Sequence, residues 1–280
     1  MSTNRLCPGR IDMSMKSTQN TSKHSQGFTL IELIIIIVIL GIFGTMGADF
    51  ISRAFKGFQA ANSRIEIFEE GKAAMTRMER EINNAIPNAV TTVSGGQELR
   101  IGEINDSIMV SGNVTGHYIE SPPTNKITDE TGGLQAGAIV SINNTEWDTF
   151  ASPVILDRRL YKVIAKTGKE MTLDRTIPPD SRSPSKRFYA VDKAIRYYYD
   201  SGSAQLRRSE ITINATNTAL DDTAFTSVPG YPLAANVSNL TFHYTPGTPS
   251  RNSVVTVSFK ITKNNESILF NKDIHVRNTP

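Results

Sequence analysis

The chain has 280 residues, of which 30 are Lys or Arg and 27 are Asp or Glu, giving a formal charge of +3. This length suits one medium domain with an extended element, or two small domains. Residues 1–27 hold four basic residues and one acidic residue, so the rest of the chain carries equal numbers of each. That balance argues against nucleic acid and against strongly acidic partners.

The first segment of the chain, residues 1–27, is polar and basic and contains the single cysteine, Cys7. If this segment is removed, the remaining chain has no thiol and forms no disulfide. Its core then depends on packing alone, which a chain of this size can provide. We also expect no cysteine nucleophile in the processed protein.

An apolar stretch follows from Phe28 to Ala48, and Glu32 is its one ionisable residue. The length matches the ~20 residues that cross a bilayer. A secretory signal would place small residues at a cleavage site after the apolar run, which this run lacks. A plain anchor gives no reason for a carboxylate, which costs ~2.5–3.5 kcal/mol at mid-bilayer and marks a functional position.

The sequence from Gly27 to Glu32 reads G-F-T-L-I-E and resembles the processing site of type IV prepilins and type II secretion pseudopilins. The resemblance implies that a prepilin peptidase cuts between Gly27 and Phe28 and methylates the new amino group of Phe28. It also implies that Glu32 meets the N-terminal amine of a neighbouring subunit. Two opposite charges, each costly alone in an apolar bundle, compensate as a pair. The rest of this assembly segment is Thr29, Leu30 and Ile31.

The N-terminal leader also bears on topology. Met13 and Met15 are in-frame alternative starts, and a start at Met15 leaves a short basic leader. In either case the positive charge before the apolar run holds this end in the cytoplasm. We therefore expect a single-pass inner-membrane protein with its C-terminal domain in the periplasm, which later enters a pilus or pseudopilus.

A helical pattern continues over residues 49–87 and ends at Pro87. The periodicity predicts one helix from Phe28 to Ile86, whose second part packs on the domain through one apolar face. The apolar positions at helical spacing are Ile51, Ala54, Phe55, Phe58, Ala61, Ile65, Phe68, Met75, Met78, Ile82 and Ile86.

Three glycines, Gly41, Gly44 and Gly47, lie at i, i+3 and i+6 in the apolar stretch. Each costs about 1 kcal/mol of helix propensity relative to alanine. One interpretation is close contact between helices. The other is local melting of the helix inside a filament, which the resemblance suggests.

Residues 88–280 predict a β-rich domain, because short β-prone runs alternate with turn residues. The fold class is therefore α+β, with a long N-terminal helix packed on an antiparallel sheet domain of one or two sheets. The predicted strands are Glu98–Ile101, Ile108–Val110, Ala138–Ile142, Arg159–Ala165, Met171–Asp174, Phe188–Val191, Ala194–Asp200, Gln205–Arg208, Val237–Tyr244, Val254–Ile261 and Ile268–Val276. The predicted loops are Ser121–Asn125, Ile177–Ser185 and Thr245–Asn252.

Several stretches of this domain are similar to PilW-like minor pilins and J-like pseudopilins. They are Arg187–Val191, Tyr197–Tyr199, Leu206–Arg208 and Asp273–Asn278. Taken together with the length of the chain, these stretches most resemble the minor prepilin-like biogenesis subunits of mannose-sensitive haemagglutinin (MSHA) pili. The resemblance implies a minor pilin that initiates, caps or tunes pilus assembly. Its partners would be the prepilin peptidase, other major and minor pilins and the inner-membrane assembly platform. A minor pseudopilin of the J type and a pilus-tip adhesin remain alternatives.

The sequence predicts no catalytic site, metal or cofactor. Its four histidines, His24, His117, His243 and His275, have no metal-binding spacing, and no nucleophile or phosphate-loop motif occurs. The oxygen-rich run Asn143–Asp148 suggests either Ca²⁺ or a polar turn, but it lacks EF-hand spacing. Arg207-Arg208 suggests phosphate contact only weakly in a neutral domain.

Overall fold

The computed structural model describes residues 27–105, 115–117, 124–130, 132–152, 154–181, 186–213, 220–247 and 251–276. The leader, the predicted strand Ile108–Val110 and parts of the three predicted loops lie outside these residues. The chain divides into two compact units, Met1–Lys56 and Gly57–Pro280.

The described elements are three α-helices and thirteen β-strands. The helices are α1 (Leu30–Asn83), α2 (Trp147–Ala151) and α3 (Asp222–Ser227). The first strands are β1 (Ala85–Val93), β2 (Glu98–Ile104), β3 (Thr115–His117), β4 (Thr124–Thr128), β5 (Ile139–Ile142), β6 (Leu160–Thr167) and β7 (Glu170–Ile177). The remaining strands are β8 (Arg187–Asp200), β9 (Gln205–Thr212), β10 (Tyr231–Ala234), β11 (Val237–Thr245), β12 (Val254–Lys263) and β13 (Glu266–His275).

The long helix ends earlier than the sequence predicted. α1 stops at Asn83, and Ile86 and Pro87 lie in β1 instead. Among the described strands β1 pairs with β2 alone, and an edge strand tolerates a proline because one row of its N–H groups is unpaired. The register slips between Ala85 and Val90, where Asn88 adopts φ 60°. The apolar pattern that read as a last helical turn is therefore the start of a bulged strand.

The second half of α1 packs on the domain, but not through all of the apolar positions that the periodicity predicted. Met75, Met78 and Ile82 are buried as expected, whereas Ile65 and Phe68 remain 56% and 51% exposed. The helix instead presents a second face with small residues at the contact, which let its backbone approach the sheets closely. The buried residues of α1 are Ser63, Ile67, Gly71, Ala74, Met75, Met78, Glu81 and Ile82.

The larger sheet is organised around β8. Its C-terminal part lies between β2 and β9, and β1 and β10 extend the sheet on either side. The two predicted strands Phe188–Val191 and Ala194–Asp200 are thus one continuous strand. Apolar side chains from this part of the sheet join α1 in the largest buried cluster.

The N-terminal part of β8 belongs to a closed ring of strands. β3 pairs with β8 on one side, β5 pairs with it on the other, and β4, β7 and β6 complete the circle. Closure leaves the ring without a free edge. The ring strands bury their own apolar cluster, which includes Val140, Tyr161, Met171, Leu173 and Phe188. The ring strands other than β8 therefore lie in the chain between β2 and β8, as an insertion.

A separate three-stranded sheet has the order β11-β12-β13. Alternate residues of β12, namely Val255, Val257, Phe259 and Ile261, are buried in the same cluster as α1. The predicted α+β class is confirmed, with a long N-terminal helix followed by antiparallel β-structure in two sheets.

Candidate functional site

The first turn of α1 is built by the residues of the G-F-T-L-I-E motif. The Glu32 backbone N–H donates to Thr29 Oγ1 at 3.3 Å, and the Leu33 N–H donates to the Thr29 carbonyl at 3.1 Å. Thr29 therefore caps the helix N-terminus, and the T-x-x-E spacing is that of a capping box. Glu32 lies in the first turn, where the helix dipole favours a carboxylate. The motif thus has a local structural role as well as the one its resemblance implies.

The start of α1 has no packing partner within the described chain. Every residue from 27 to 59 is exposed, including the large side chains of Phe28, Leu30 and Ile31. The helix contains a stretch with a mean hydropathy of 2.6, long and apolar enough to cross a membrane. So large an apolar surface requires lipid or other protein helices around it.

The helix is continuous through Gly41, Gly44 and Gly47. A Cβ built on any of the three meets no atom within 4 Å. These positions therefore leave room for a close neighbour, and close helix packing and local melting both remain open interpretations.

A buried ionic network, which no sequence motif predicts, joins α1 to β8 and β9. Glu81 is 4% exposed and Arg208 is 1% exposed, and Arg208 Nε lies 2.8 Å from Glu81 Oε2. The Tyr197 hydroxyl donates to the same carboxylate oxygen, and Arg77 Nε donates to Oε1 at 3.1 Å. One carboxylate of α1 is therefore bound by three side chains.

The network shifts the pKa values of Tyr197 and Arg208. Burial raises the pKa of the Tyr197 phenol, and the nearby charge of Glu81 raises it further. Burial alone lowers the pKa of Arg208, but hydrogen bonding to Glu81 and its charge more than offset this, so Arg208 stays charged. The phosphate-binding interpretation of Arg208 is therefore wrong, because its guanidinium is inside the domain. Arg207 donates to Gln205 Oε1 at 3.0 Å and to the Gly230 carbonyl at 3.1 Å.

The Asn143–Asp148 run forms the turn before α2 and the first two residues of that helix. Glu146 is the N-cap of that helix and forms a reciprocal capping box with Thr149. Among the described residues, no group of three or more His, Cys, Asp and Glu side chains is placed to hold a metal ion. Of the three consecutive tyrosines, Tyr197 is fully buried in the cluster with α1, Tyr199 packs against the same cluster, and Tyr198 is partly exposed.

The comparison with protein families identifies one matching model. Residues 22–48 match the prokaryotic N-terminal methylation motif. The searches of curated proteins and of solved structures returned no match for this chain.

The matched motif and the exposed apolar helix indicate the same class of protein. They support a type IV pilin-like or pseudopilin protein, processed by a prepilin peptidase and assembled with other pilins. The single N-terminal apolar helix is consistent with an inner-membrane anchor before assembly. A motif of this kind indicates a structural rather than a catalytic protein.

Proposed function

We propose that this chain is a minor pilin that initiates, caps or tunes assembly of a type IV pilus of the MSHA kind. The observation that carries the proposal is the G-F-T-L-I-E motif at the start of a long, exposed apolar helix. In this account the peptidase cuts between Gly27 and Phe28 and methylates the Phe28 amine. The protein acts by assembly and catalyses no reaction.

Glu32 sets the register of docking in this proposal. Within an assembled helix bundle, its carboxylate pairs with the N-terminal amine of a neighbouring subunit, since each charge is costly alone in an apolar surrounding. Thr29, Leu30 and Ile31 start the helix and provide apolar contact beside this pair. Gly41, Gly44 and Gly47 allow a neighbouring helix to approach closely.

The exposed face of α1 beyond the apolar stretch supports the same role. Phe58, Ile65 and Phe68 have exposed side chains at heptad-like spacing, which is the spacing of a helix–helix seam. We infer that a neighbouring pilin helix covers them. The inserted ring of strands adds size that favours a minor subunit over a major pilin.

The proposal is tested by Glu32→Gln in the producing cells, with Asp49→Asn as the matched control. Asp49 is another exposed carboxylate of α1 but follows the apolar stretch. We expect Glu32→Gln to be cut and methylated normally yet to reduce surface pili about tenfold or more. Asp49→Asn should leave pilus numbers unchanged. Normal piliation with Glu32→Gln would contradict the pairing role.

The phenotype of a deletion strain distinguishes the pilus assignment from the alternative of a J-type pseudopilin. A deletion strain that loses pili but secretes exoproteins normally supports the pilus assignment. A strain that keeps its pili and loses exoprotein secretion supports the pseudopilin instead.

A further inference from the structure

Two cavities lie beside β1, and Trp147 borders both of them. The larger, of about 510 Å³, is lined by β1, β2, α2 and the start of α3. The smaller, of about 250 Å³, is lined by β1, the turn before α2 and the end of β11. Thr91, Trp147 and Asp148 border both cavities. We refer to the pair as the β1 groove.

The groove reaches the backbone of a strand edge. Val90 packs into the core beneath the sheet, and Thr91, the next residue of β1, therefore faces the opposite side. Both residues nevertheless line the smaller cavity, so this cavity extends along the edge between the two faces. In the described part of the chain that edge of β1 has no partner strand. An open edge offers main-chain hydrogen bonds to an extended peptide.

The charge of the groove is negative. The acidic residues that line it are Glu146, Asp148, Asp221 and Asp222. Its one basic side chain among the lining residues, Arg100, is already paired, with Nε 2.6 Å from Glu98 Oε1 and Nη1 2.6 Å from Asp222 Oδ1. Asp148 is exposed at the wall that the two cavities share. The groove therefore attracts a positively charged group.

Trp147 provides a fixed aromatic surface at the same place. Its ring centroid lies 5.6 Å from that of Phe150 and 6.1 Å from that of Phe225, so two neighbouring rings support it. Its side chain is only partly buried. An indole face beside a carboxylate binds a guanidinium or ammonium group through the ring quadrupole and the opposite charge together.

We propose that the β1 groove binds an extended segment of another protein that carries an arginine or lysine side chain. The segment pairs with the open edge of β1, and its basic side chain lies between Trp147 and Asp148. This interaction is independent of the N-terminal assembly segment, so either proposal can fail without the other.

The test uses the purified full-length protein in detergent, in which Trp147 is the sole tryptophan and its fluorescence reports directly on the groove. The probe is the capped peptide Ala-Thr-Arg-Thr-Ala, and the matched peptide has Gln in place of Arg. We expect a saturable change with the Arg peptide, and binding about tenfold weaker with the Gln peptide. A high salt concentration should also weaken binding of the Arg peptide. N-methylation of the two Thr amides should abolish binding, because it removes the main-chain donors.

A variant pair tests the residue assignment. Asp148→Asn should weaken binding of the Arg peptide about fivefold. Glu170 is an exposed carboxylate of β7 outside the groove, so Glu170→Gln should leave the affinity unchanged. If Asp148→Asn loses its circular-dichroism signal, the salt, Gln-peptide and N-methyl comparisons on the unmodified protein decide the question. Equal responses to the Arg and Gln peptides, no saturable response, or a response to a neutral oligosaccharide instead would overturn the proposal.

Discussion

Glu81, Arg208 and Tyr197 form the contact that fixes α1 on the domain at the scale of single residues. Their side chains are almost fully buried, and the Glu81 carboxylate is bound from two strands as well as from Arg77 of its own helix. A buried ion pair adds little net stability over an apolar one, but removal of one partner leaves an uncompensated charge. The network therefore specifies the rotation and register of α1.

Glu81→Gln should lower the free energy of unfolding by about 3–5 kcal/mol, because the Arg208 guanidinium loses its buried counter-charge and keeps only the partly exposed carboxylate of Glu210, 2.8 Å away. Urea unfolding of the detergent-solubilised protein, followed by circular dichroism, measures the change. Glu79→Gln is the control, because Glu79 lies on the same helix as Glu81 but its ion pair is exposed to solvent. Its Oε2 lies 2.6 Å from Lys272 Nζ of β13. The control should change stability by less than about 1 kcal/mol. Equal losses in the two variants would show that the network is not special.

Tyr197 makes the stability of the domain sensitive to alkaline pH. Its pKa is raised by burial and by Glu81, so the unfolded chain loses the phenolic proton at a lower pH than the folded chain does. The unfolded state then binds fewer protons, and stability falls as pH rises above about 10. Tyr197→Phe should reduce this fall by up to about 1.4 kcal/mol per pH unit. Unfolding curves of both proteins between neutral and alkaline pH measure how the free energy of unfolding changes with pH. The same pH dependence in Tyr197→Phe and in the unmodified protein would contradict a raised pKa for Tyr197.

α1 shows, at the scale of elements, what apolar spacing predicts and what it leaves out. The periodicity indicated a long helix and one packed face, and α1 is indeed helical to Asn83. The face that packs also includes Gly71, because a close approach selects small residues that carry no hydropathy signal. Ile65 and Phe68 had the stronger apolar signal and remain exposed.

Gly71→Ala should destabilise the domain by about 1–3 kcal/mol, although alanine favours a helix by about 1 kcal/mol. A Cβ at this position would overlap the Phe270 ring, which is stacked on Phe259 with 5.1 Å between centroids. Gly57→Ala in the same helix meets no atom within 4 Å and should stabilise slightly. Thermal unfolding of both variants measures these changes. An increase in stability with Gly71→Ala would contradict the close contact between Gly71 and Phe270.

The whole molecule combines a locally encoded assembly segment with a domain whose topology is not local. The N-terminal motif and apolar run are contiguous, so the sequence alone predicts the fold class and the pilin-like class. The ring of strands depends on pairing of β8 with β3 and β5, which no neighbouring residues specify. Likewise Glu81 and Arg208 are far apart in sequence, so their pairing could not be read from spacing.

The packed face of α1 and the exposed face that we propose for assembly predict different outcomes for neighbouring residues. Ile67→Ala should cost about 2–5 kcal/mol of stability, because Ile67 is fully buried. Ile65→Ala should change stability by less than about 0.5 kcal/mol and still reduce pilus numbers. Unfolding curves and counts of surface pili measure the two effects. Normal piliation with Ile65→Ala would show that this face has no assembly role.

The most direct test of the account is the mature N-terminus, determined by mass spectrometry in cells with and without prepilin peptidase activity. We predict a peptide that begins with N-methylated Phe28 and disappears when the peptidase is absent. An uncut N-terminus, or cleavage beyond Gly47, would contradict the account, because the protein would then be an anchored or secreted β-domain without an assembly segment.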